Sequence, residues 1–540
     1  MTEQPYDVIV IGSGIGGLTF ASLMAQLAHK RVLVLERHFK LGGFTHTFER
    51  KGYTWDVGLH YVGELDKGST VRALFDFITR SQVKWHKMPH FFERFVYPDF
   101  TFNVSDVSSQ YLQDLIQQFP TEKAALQRYF RDLKRGAKWY TLETWRRSVP
   151  SWLGWPVSLL NLRSRRMALS TTKEYLDRSF KDLKLKALLA SQWGDYGLTP
   201  SQSAFALHAL VVGNYLKGGW YTEGSAETIA ESIVPIIKEA GGDCRVNHEV
   251  AEILVENGVA KGVRVHVKHG KKIEEKLFLA PLIVSDAGIY NTFTKLVPES
   301  VPLPQREEIK RFKPGATMVT LYLGLKENPQ KLGFKGENHW LFSGYDHDMP
   351  QNQKMLEGEV NSAYLSFPSL KDPAAKQPTA EIIAKIDYGV FAAWQNTNWK
   401  QRGQNYEDLK ARISEVLLET VERHYPGFRE LVAYQELSTP VTIESFTNHF
   451  QGAIYSLPGT PEKLQRFWNG PSTPIKGLLL TGTDVCALGI VGAMMGGTFA
   501  AGYVLGPLGF PKVMSAAQTY AHLASRNPSK ATILSNQVGD

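Results

Sequence analysis

Cysteine is almost absent from this chain. The 540 residues include two cysteines, Cys244 and Cys486, which are far apart and form no C-x-x-C motif. The sequence therefore indicates neither a disulfide framework nor a zinc site, and we predict no metal. A reducing compartment such as the cytoplasm agrees best with this usage. The N-terminus lacks a basic segment followed by an apolar one, so we expect no signal peptide.

Acidic residues are too few to balance the basic ones. The net charge is +8 and the pI is about 9.1, which can favour nucleic acid or an anionic membrane surface. No recognition-helix or stacking-sheet motif accompanies the charge, so we do not predict a nucleic-acid partner. Hydrophobic content of 43% is ordinary for globular domains and excludes a disordered chain.

Glycine is concentrated directly after the first apolar segment. Residues 6–11 (YDVIVI) predict a buried parallel strand, and residues 18–30 predict a helix. Between them, Gly12, Gly14 and Gly17 form G-x-G-x-x-G. In such a motif the first glycine makes the turn, the second admits a pyrophosphate, and the third lets the helix pack on the strand. The pattern predicts a dinucleotide-binding turn.

The next segment favours FAD over NAD. Residues 31–35 predict a second strand that ends at Glu36, an acid placed to accept hydrogen bonds from ribose hydroxyls. Arg37 follows, and then Gly42 and Gly43 allow a second close backbone approach. This extension looks like that of FAD enzymes.

Four segments carry a family resemblance: residues 6–63, 282–288 (LIVSDAG), 367–373 (FPSLKDP) and 477–497 (GLLLTGTDVCALGIVGAMMGG). They resemble the phytoene desaturase superfamily of flavoproteins, and within it they are most similar to retinol saturases and carotenoid cis–trans isomerases. The resemblance implies FAD as the cofactor.

The resemblance also implies an α/β fold of interleaved domains. A Rossmann-type FAD-binding domain alternates with an α+β substrate domain, which has a mixed sheet and a helical lid. The FAD domain would comprise residues 1–75, 218–300 and 470–510; the substrate domain 76–217 and 301–469, with a helical, membrane-facing region around 105–215; and the tail 511–540.

Single elements follow from periodicity. In the substrate domain, residues 317–325 and 360–367 predict strands, and residues 407–424 predict an amphipathic helix. In the FAD domain, residues 224–241 predict a helix and residues 244–250 predict a strand.

Charged residues are absent between residues 485 and 511. A membrane span needs about twenty mostly apolar residues, but glycines interrupt this run throughout and Asp484 stands at its head. Asp484 is placed to accept hydrogen bonds from ribityl hydroxyls. A helix that begins near Ile490 would direct its positive end at the flavin. We therefore predict a buried flavin-binding helix.

Motifs and resemblance together predict the cofactor-binding residues. They are Gly12, Ser13, Gly14, Ile15, Gly16, Gly17, Glu36, Arg37, Gly42, Gly43, Gly58, Leu59, His60, Val250, Gly482, Asp484, Ile490, Val491 and Gly492.

Proton-transfer groups are expected after the strand-like residues 53–57. In the family this region passes close to the isoalloxazine. We predict Tyr61 or His60 as the proton donor, with Glu64 as a third candidate. The alternative is that His60 only orients the flavin or satisfies a buried hydrogen bond.

The expected activity is hydride transfer from reduced flavin to a C=C bond of a hydrophobic polyene lipid, which saturates it. Alternatives are cis–trans isomerisation, desaturation, an unsaturated fatty-acid substrate and amine oxidation. A flavin-free prenyl-lipid carrier of the GDP-dissociation-inhibitor type is an alternative from another class. No second strand–G-x-G-x-x-G–helix unit is present to hold NADPH, so the electron donor is left open.

Residues 139–166 combine tryptophan with arginine, a composition that favours the lipid headgroup layer. We expect a peripheral membrane patch there; the alternative is a helical lid with inward aromatics. The residues are Trp139, Trp145, Trp152, Trp155, Arg146, Arg147, Arg163, Arg165 and Arg166.

Overall fold

The computed structural model describes residues 6–149, 151–270, 272–466 and 470–526. Residues 527–540 of the expected tail lie outside the described residues. The strands are β1 (Val8–Ile11), β2 (Val32–Leu35), β3 (Thr47–Arg50), β4 (Tyr53–Asp56), β5 (Trp85–Lys87), β6 (Phe91–Val96), β7 (Thr101–Ser105), β8 (Trp220–Thr222), β9 (Asp243–Arg245), β10 (His248–Glu256), β11 (Val259–His269), β12 (Lys272–Leu279), β13 (Leu282–Ser285), β14 (Met318–Leu325), β15 (Asn338–Phe342), β16 (Ser362–Ser366), β17 (Thr379–Lys385), β18 (Val432–Ser438) and β19 (Leu478–Leu480).

Helices surround these strands. They are α1 (Ile15–Ala28), α2 (Thr70–Ile78), α3 (Ser108–Gln118), α4 (Lys123–Arg147), α5 (Ser151–Ala168), α6 (Thr172–Ser179), α7 (Leu183–Ala190), α8 (Phe205–Asn214), α9 (Glu227–Glu239), α10 (Ile289–Asn291), α11 (Arg306–Arg311), α12 (Gln351–Leu356), α13 (Pro368–Lys371), α14 (Gln404–His424), α15 (Phe428–Leu431), α16 (Pro440–Thr447), α17 (Pro461–Leu464), α18 (Gly489–Val504) and α19 (Gly509–Arg526).

A five-stranded parallel sheet has the order β19-β13-β1-β2-β9. Every residue of β1 and of β2 is buried, as expected where helices or other layers cover both faces of a parallel sheet. Its strands come from three distant parts of the chain, and β1 pairs with both β2 and β13. The predicted Rossmann-type α/β fold is confirmed.

Helices α1 and α18 approach each other closely because glycines remove side chains from the contact. A Cβ atom on Gly497 would lie 2.4 Å from the carbonyl oxygen of Gly16. Most of α18 is buried, so the prediction of a buried helix is confirmed. Within the described ranges, no helix is long and apolar enough to cross a membrane.

A seven-stranded mixed sheet has the order β18-β14-β17-β16-β15-β6-β7. Strands β14 and β16 correspond to the two strands predicted for the substrate domain, and α14 corresponds to the predicted amphipathic helix. Registers between these strands define three rows of side chains on one face, two residues apart along each strand. The first row contains Tyr322, Glu381 and Ser366; the second contains Thr320, Ile383, Tyr364 and Trp340; the third contains Met318 and Lys385.

Helices α3 to α8 form the helical region expected around residues 105–215. Helix α4 packs on both α5 and α8, and small residues bring α4 and α8 together. A Cβ atom on Gly136 would lie 2.7 Å from the Cβ atom of Ala209. Ala209 belongs to the same buried core as Trp340 and Tyr364 of the seven-stranded sheet.

Two expected elements differ from the structure. The strand expected over residues 244–250 is broken, because Asn247 has a left-handed φ of 57° and turns the chain between β9 and β10. The first part of the expected tail is α19, whose Val513, Ala517 and Tyr520 are buried. Helix α19 packs against α2 and α18, so this segment belongs to the core around α18.

Candidate functional site

One cavity is much larger than the other described cavities. Its volume is about 350 Å³, whereas two smaller cavities measure about 10 and 20 Å³. It extends from the carboxyl ends of β1 and β2 to the three rows of the seven-stranded sheet. The predicted site residues that line it are Gly12, Gly14, Ile15, Gly16, Glu36, Arg37, Gly42, Gly43, Gly58, His60, Val250 and Ile490. Those outside its lining are Ser13, Gly17, Leu59, Tyr61, Glu64, Gly482, Asp484, Val491 and Gly492.

Glu36 is held in place by the glycine-rich turn. Ser13 donates to its Oε2 from the backbone nitrogen at 2.9 Å and from the hydroxyl at 2.7 Å. The backbone nitrogen of His38 donates to Oε1 at 2.8 Å. A carboxylate offers about four lone-pair sites, so Glu36 keeps capacity for a ligand hydroxyl. Ser13 therefore belongs to the site as a support for Glu36.

Asp286 connects the N-terminal and C-terminal parts of the site, and sequence reasoning did not single it out. A Cβ atom on Gly14 would lie 2.4 Å from its Oδ2, and one on Gly482 would lie 2.3 Å from its Oδ1. Burial raises the pKa of Asp286 to about 8. The side chain is therefore mostly protonated at neutral pH beside the turn that is expected to hold a pyrophosphate. Its position directly after the apolar strand β13 was the available sequence signal.

The cavity has unused polar atoms that fit FAD. Oγ1 of Thr481 and Oδ1 of Asn291 are buried, belong to lining residues and have no hydrogen-bond partner in the described part of the chain. Buried polar atoms nearly always have partners in folded proteins, so these atoms mark positions for ligand groups. The N-terminus of α1 meets the same cavity at Gly14 and Gly16, where backbone N–H groups favour a phosphate.

Asp484 has hydrogen-bonding partners within the protein itself. Its carboxylate accepts a hydrogen bond from the backbone nitrogen of Ile289 at 2.8 Å and pairs with Lys463 at 3.3 Å. Thr481 and Thr483 line the cavity, whereas Asp484 does not. Asp484 thus braces the turn that carries the two threonines, and its contact with the ribityl chain stays a prediction.

Other predicted cofactor residues outside the lining have packing positions. A Cβ atom on Gly17 would lie 2.5 Å from the carbonyl oxygen of the first turn glycine, and one on Gly492 would lie 2.1 Å from the carbonyl oxygen of Ala487. Leu59 is buried in the core around α1, and Val491 packs against the same core. These residues pack beneath the cavity lining and fix the positions of the residues that form it.

His60 is the predicted proton donor that lines the cavity. Its Nδ1 lies 3.0 Å from Oε2 of Glu381, whose side chain is 0% exposed. Among the described residues, neither oxygen of Glu381 has a hydrogen-bond partner of good geometry. A buried carboxylate requires a charged or hydrogen-bonding partner, and His60 is placed to provide one. Sequence reasoning missed Glu381, although an acid inside the apolar segment of β17 was a usable signal.

Lys371 supports His60 from the segment that carried the family resemblance. Its Nζ donates to the carbonyl oxygen of His60 at 2.9 Å and to the hydroxyl of Ser366 at 2.7 Å. Burial lowers the pKa of Lys371 to about 8. The lysine therefore fixes the backbone of His60 and places a positive charge near Glu381.

Tyr61 reaches the cavity only through another side chain. Its hydroxyl donates to Oδ2 of Asp195 at 2.5 Å, and its ring stacks on Tyr215 at 4.3 Å. Asp195 lines the cavity, and burial raises the pKa values of both Asp195 and nearby Glu93. Glu64, the third proton-donor candidate, is exposed and lies outside the cavity lining. The structure thus separates Glu64 from the acids that surround the cavity.

The tryptophan- and arginine-rich segment divides into two parts. Trp139 is buried, and Glu143 pairs with Arg146 at 2.6 Å and with Arg147 at 2.9 Å. Trp145 packs against the core, and the side chain of Trp152 lies outside the described residues. The first part is therefore structural, which corrects its assignment to a membrane patch. The exposed part consists of Trp155, Leu159, Leu162, Arg163, Arg165 and Arg166.

A glycine-rich turn on a parallel sheet, the buried helix α18 and the cavity between them define a flavin-dependent oxidoreductase. Residues 15–505 match the model of the flavin containing amine oxidoreductases, and the chain belongs to this family. FAD is its cofactor.

Two relatives and one solved structure are similar to this chain. An all-trans-retinol 13,14-reductase of Danio rerio is 30% identical over 91% of this chain and 85% of that protein. A prolycopene isomerase of an Oncidium hybrid cultivar is 25% identical over 94% and 85%. The fold resembles cyclohexylamine oxidase from Brevibacterium oxydans IH-35A, with a TM-score of 0.59, 14% identity and coverage of 96% of this chain and 99% of that one. The chain is thus an FAD-dependent oxidoreductase.

Proposed function

We propose that this chain saturates a carbon–carbon double bond of a hydrophobic polyene of the retinoid or carotenoid type. The observation that supports it most is the His60–Glu381 pair at the edge of a cavity with aromatic and apolar walls. Similarity to a retinol 13,14-reductase supports the same reaction. The second row supplies much of this apolar wall, with Ile383, Tyr364 and Trp340.

Saturation adds a hydride to one carbon and a proton to the other. Reduced FAD supplies a hydride when it is bound. His60 carries the proton for the second carbon on its imidazole ring. The ring lines the cavity, and Glu381 lies behind it. Loss of that proton leaves the imidazole neutral, and Glu381, 3.0 Å from Nδ1, orients the ring. Lys371 keeps His60 in position through its backbone carbonyl.

Asp195 provides a second acid on the cavity wall. Because burial favours its neutral form, it keeps a proton that an ordinary surface aspartate would have lost. The hydroxyl of Tyr61 stabilises the carboxylate that remains after transfer. Tyr61 therefore acts as a positioning residue for Asp195.

Anaerobic incubation of the flavin-reduced full chain with retinol, followed by mass spectrometry, tests the reaction. Saturation predicts a product heavier by two hydrogens. Geometric isomers of unchanged mass would instead establish isomerisation, which the similarity to a prolycopene isomerase favours as the second candidate. A product lighter by two hydrogens, formed with oxidised flavin, would establish desaturation.

We also propose peripheral association with a membrane surface in the cytoplasm. Trp155, Leu159 and Leu162 are 61%, 58% and 60% exposed on α5. Exposed arginines follow them on the same helix, a combination that suits anionic headgroups. A water-insoluble substrate would reach the protein at such a surface.

A further inference from the structure

The third row of the cavity face carries a charge that the proposed chemistry does not use. Lys385 lies opposite Met318 in the sheet, and both residues line the cavity. Lys385 and Glu381 share a face of β17 because side chains alternate along a strand. Their four-residue separation corresponds to about 13 Å along the strand. Polar groups therefore stand at both ends of an apolar span that includes Ile383.

The ammonium group of Lys385 has no anionic partner at short range. Within the described part of the chain it forms no ion pair, and its Nζ lies 5.3 Å from the ring centre of Trp193. Burial is the largest influence and lowers the pKa of Lys385, whereas the charges of Asp348 and Asp387 raise it. A cation in this position gains most from an anion that enters the cavity.

A second donor lies at the same end of the cavity. Trp193 is 3% exposed and lines the cavity, and its Nε1 has no hydrogen-bond partner in the described ranges. A lysine ammonium and an indole N–H donate hydrogen bonds and accept none. Asp195 is the nearby acid of the lining, and its Oδ2 is already engaged with Tyr61. The unused groups at this end therefore match a ligand made of acceptors.

We propose that Lys385 and Trp193 bind the carboxylate of a polyene carboxylic acid, which makes this substrate class preferred over the corresponding alcohol. The inference rests on the proposed function in taking the cavity to hold a polyene. It also places the acid end of the molecule at Lys385, about 13 Å along β17 from Glu381, the partner of His60. The saturated bond would then be remote from the acid end, unlike the 13,14 bond of retinoate, which adjoins the carboxyl carbon.

Equilibrium titration of the FAD-loaded, oxidised full chain with retinoate and with retinol tests this site without turnover. We expect tighter binding of retinoate. In Lys385→Met the affinity for retinoate should fall roughly tenfold to a hundredfold, the effect of a lost charge-assisted hydrogen bond, while retinol binding stays nearly constant. Trp193→Phe should weaken retinoate binding less. Because oxidised enzyme is used, a failure to saturate polyenes leaves this result unaffected.

Lys400→Met is the matched control, because Lys400 is exposed and lies 4.5 Å from the ring centre of Trp399. It should change neither affinity. Equal losses for both ligands in Lys385→Met would show a packing role and overturn the proposal, as would unchanged retinoate binding or a wild-type preference for retinol. Phosphatidylserine vesicles form a second arm: lost vesicle binding in Lys385→Met would assign the lysine to lipid headgroups instead.

Discussion

The two halves of the cavity are built in different ways. The cofactor half depends on backbone and glycine, with Gly14, Gly16 and Gly482 packed so closely around Asp286 that no added carbon fits. The substrate half depends on side-chain pairs from distant segments, such as His60 with Glu381. The comparison teaches that close packing determines whether the first half can bind its cofactor. In the second half, the position of the proton donor determines the rate of the reaction. Substitutions in the first half should therefore reduce FAD binding and stability, whereas substitutions in the second half should reduce the rate.

The largest effect is expected at Gly16. Its added Cβ in Gly16→Ala would lie 2.5 Å from the Cα atom of Gly482, which is backbone and cannot rotate away. We expect loss of most bound FAD and a fall of about 1–3 kcal/mol in the free energy of unfolding. Flavin absorbance and denaturant unfolding measure these. Gly213→Ala is the control, since its Cβ meets nothing within 4 Å; similar losses there would contradict the close-packing argument.

In the substrate half, His60→Gln should keep the flavin and lose the chemistry. Removal of a general acid typically costs roughly a hundredfold to ten-thousandfold in rate. Glu381→Gln should cost less, because it removes only the charge beside His60. Single-turnover reduction of a polyene by reduced enzyme measures both. Glu436→Gln is the control, because Glu436 lies on the outer strand β18 and pairs with Arg50. A drop in flavin content rather than in rate in His60→Gln or Glu381→Gln would refute the assigned roles.

The same contrast explains what the sequence could predict. The glycine-rich turn, Glu36 and the paired glycines near residue 42 are consecutive in the chain, so their shared geometry follows from local spacing. Glu381 and Asp195 lie far from His60 in sequence, and only the registers and helix packing bring them together. The parallel sheet was predictable because its strands are continuous apolar runs.

Asp484 shows the limit of motif reasoning inside the cofactor half. Its place ahead of α18 was identified, but Lys463 and the backbone of Ile289 bind its carboxylate. Those partners belong to segments without a recognisable motif. A motif therefore locates a residue near a ligand without fixing which atoms its side chain contacts.

Asp195→Asn should have an intermediate effect and change the pH profile. Burial raises the pKa of Asp195 to about 7. The rate of wild-type saturation should therefore decline as the pH rises through about 7 and the acid loses its proton. The asparagine variant should be slower and should lack this decline. Tyr61→Phe should lie between them, while Tyr503→Phe, at an exposed residue outside the cavity lining, serves as the control. An unchanged alkaline limb in Asp195→Asn would exclude Asp195 as the donor.

Asp286 offers a smaller test in the cofactor half. Its folded-state pKa of about 8 exceeds its usual value, so its contribution to stability is lost as pH rises through 8. Ionisation would also oppose a nearby phosphate, and FAD should be released more readily above pH 8 than below it. Asp286→Asn should remove this dependence. Flavin fluorescence on release measures it, and Asp243→Asn, outside the cavity lining, should behave as wild type.

The smallest effect on chemistry is expected at α5, which touches neither half of the cavity. Replacing Arg163, Arg165 and Arg166 together with glutamine should weaken binding to anionic vesicles, by up to about 1 kcal/mol per charge, and leave turnover of detergent-solubilised substrate intact. Added salt should weaken wild-type binding in the same way. Leu508→Ala, at a 75% exposed residue beyond α18, controls for loss of any exposed apolar group. Equal co-sedimentation of all variants with vesicles would contradict membrane association through α5 and would favour a lid role for this helix.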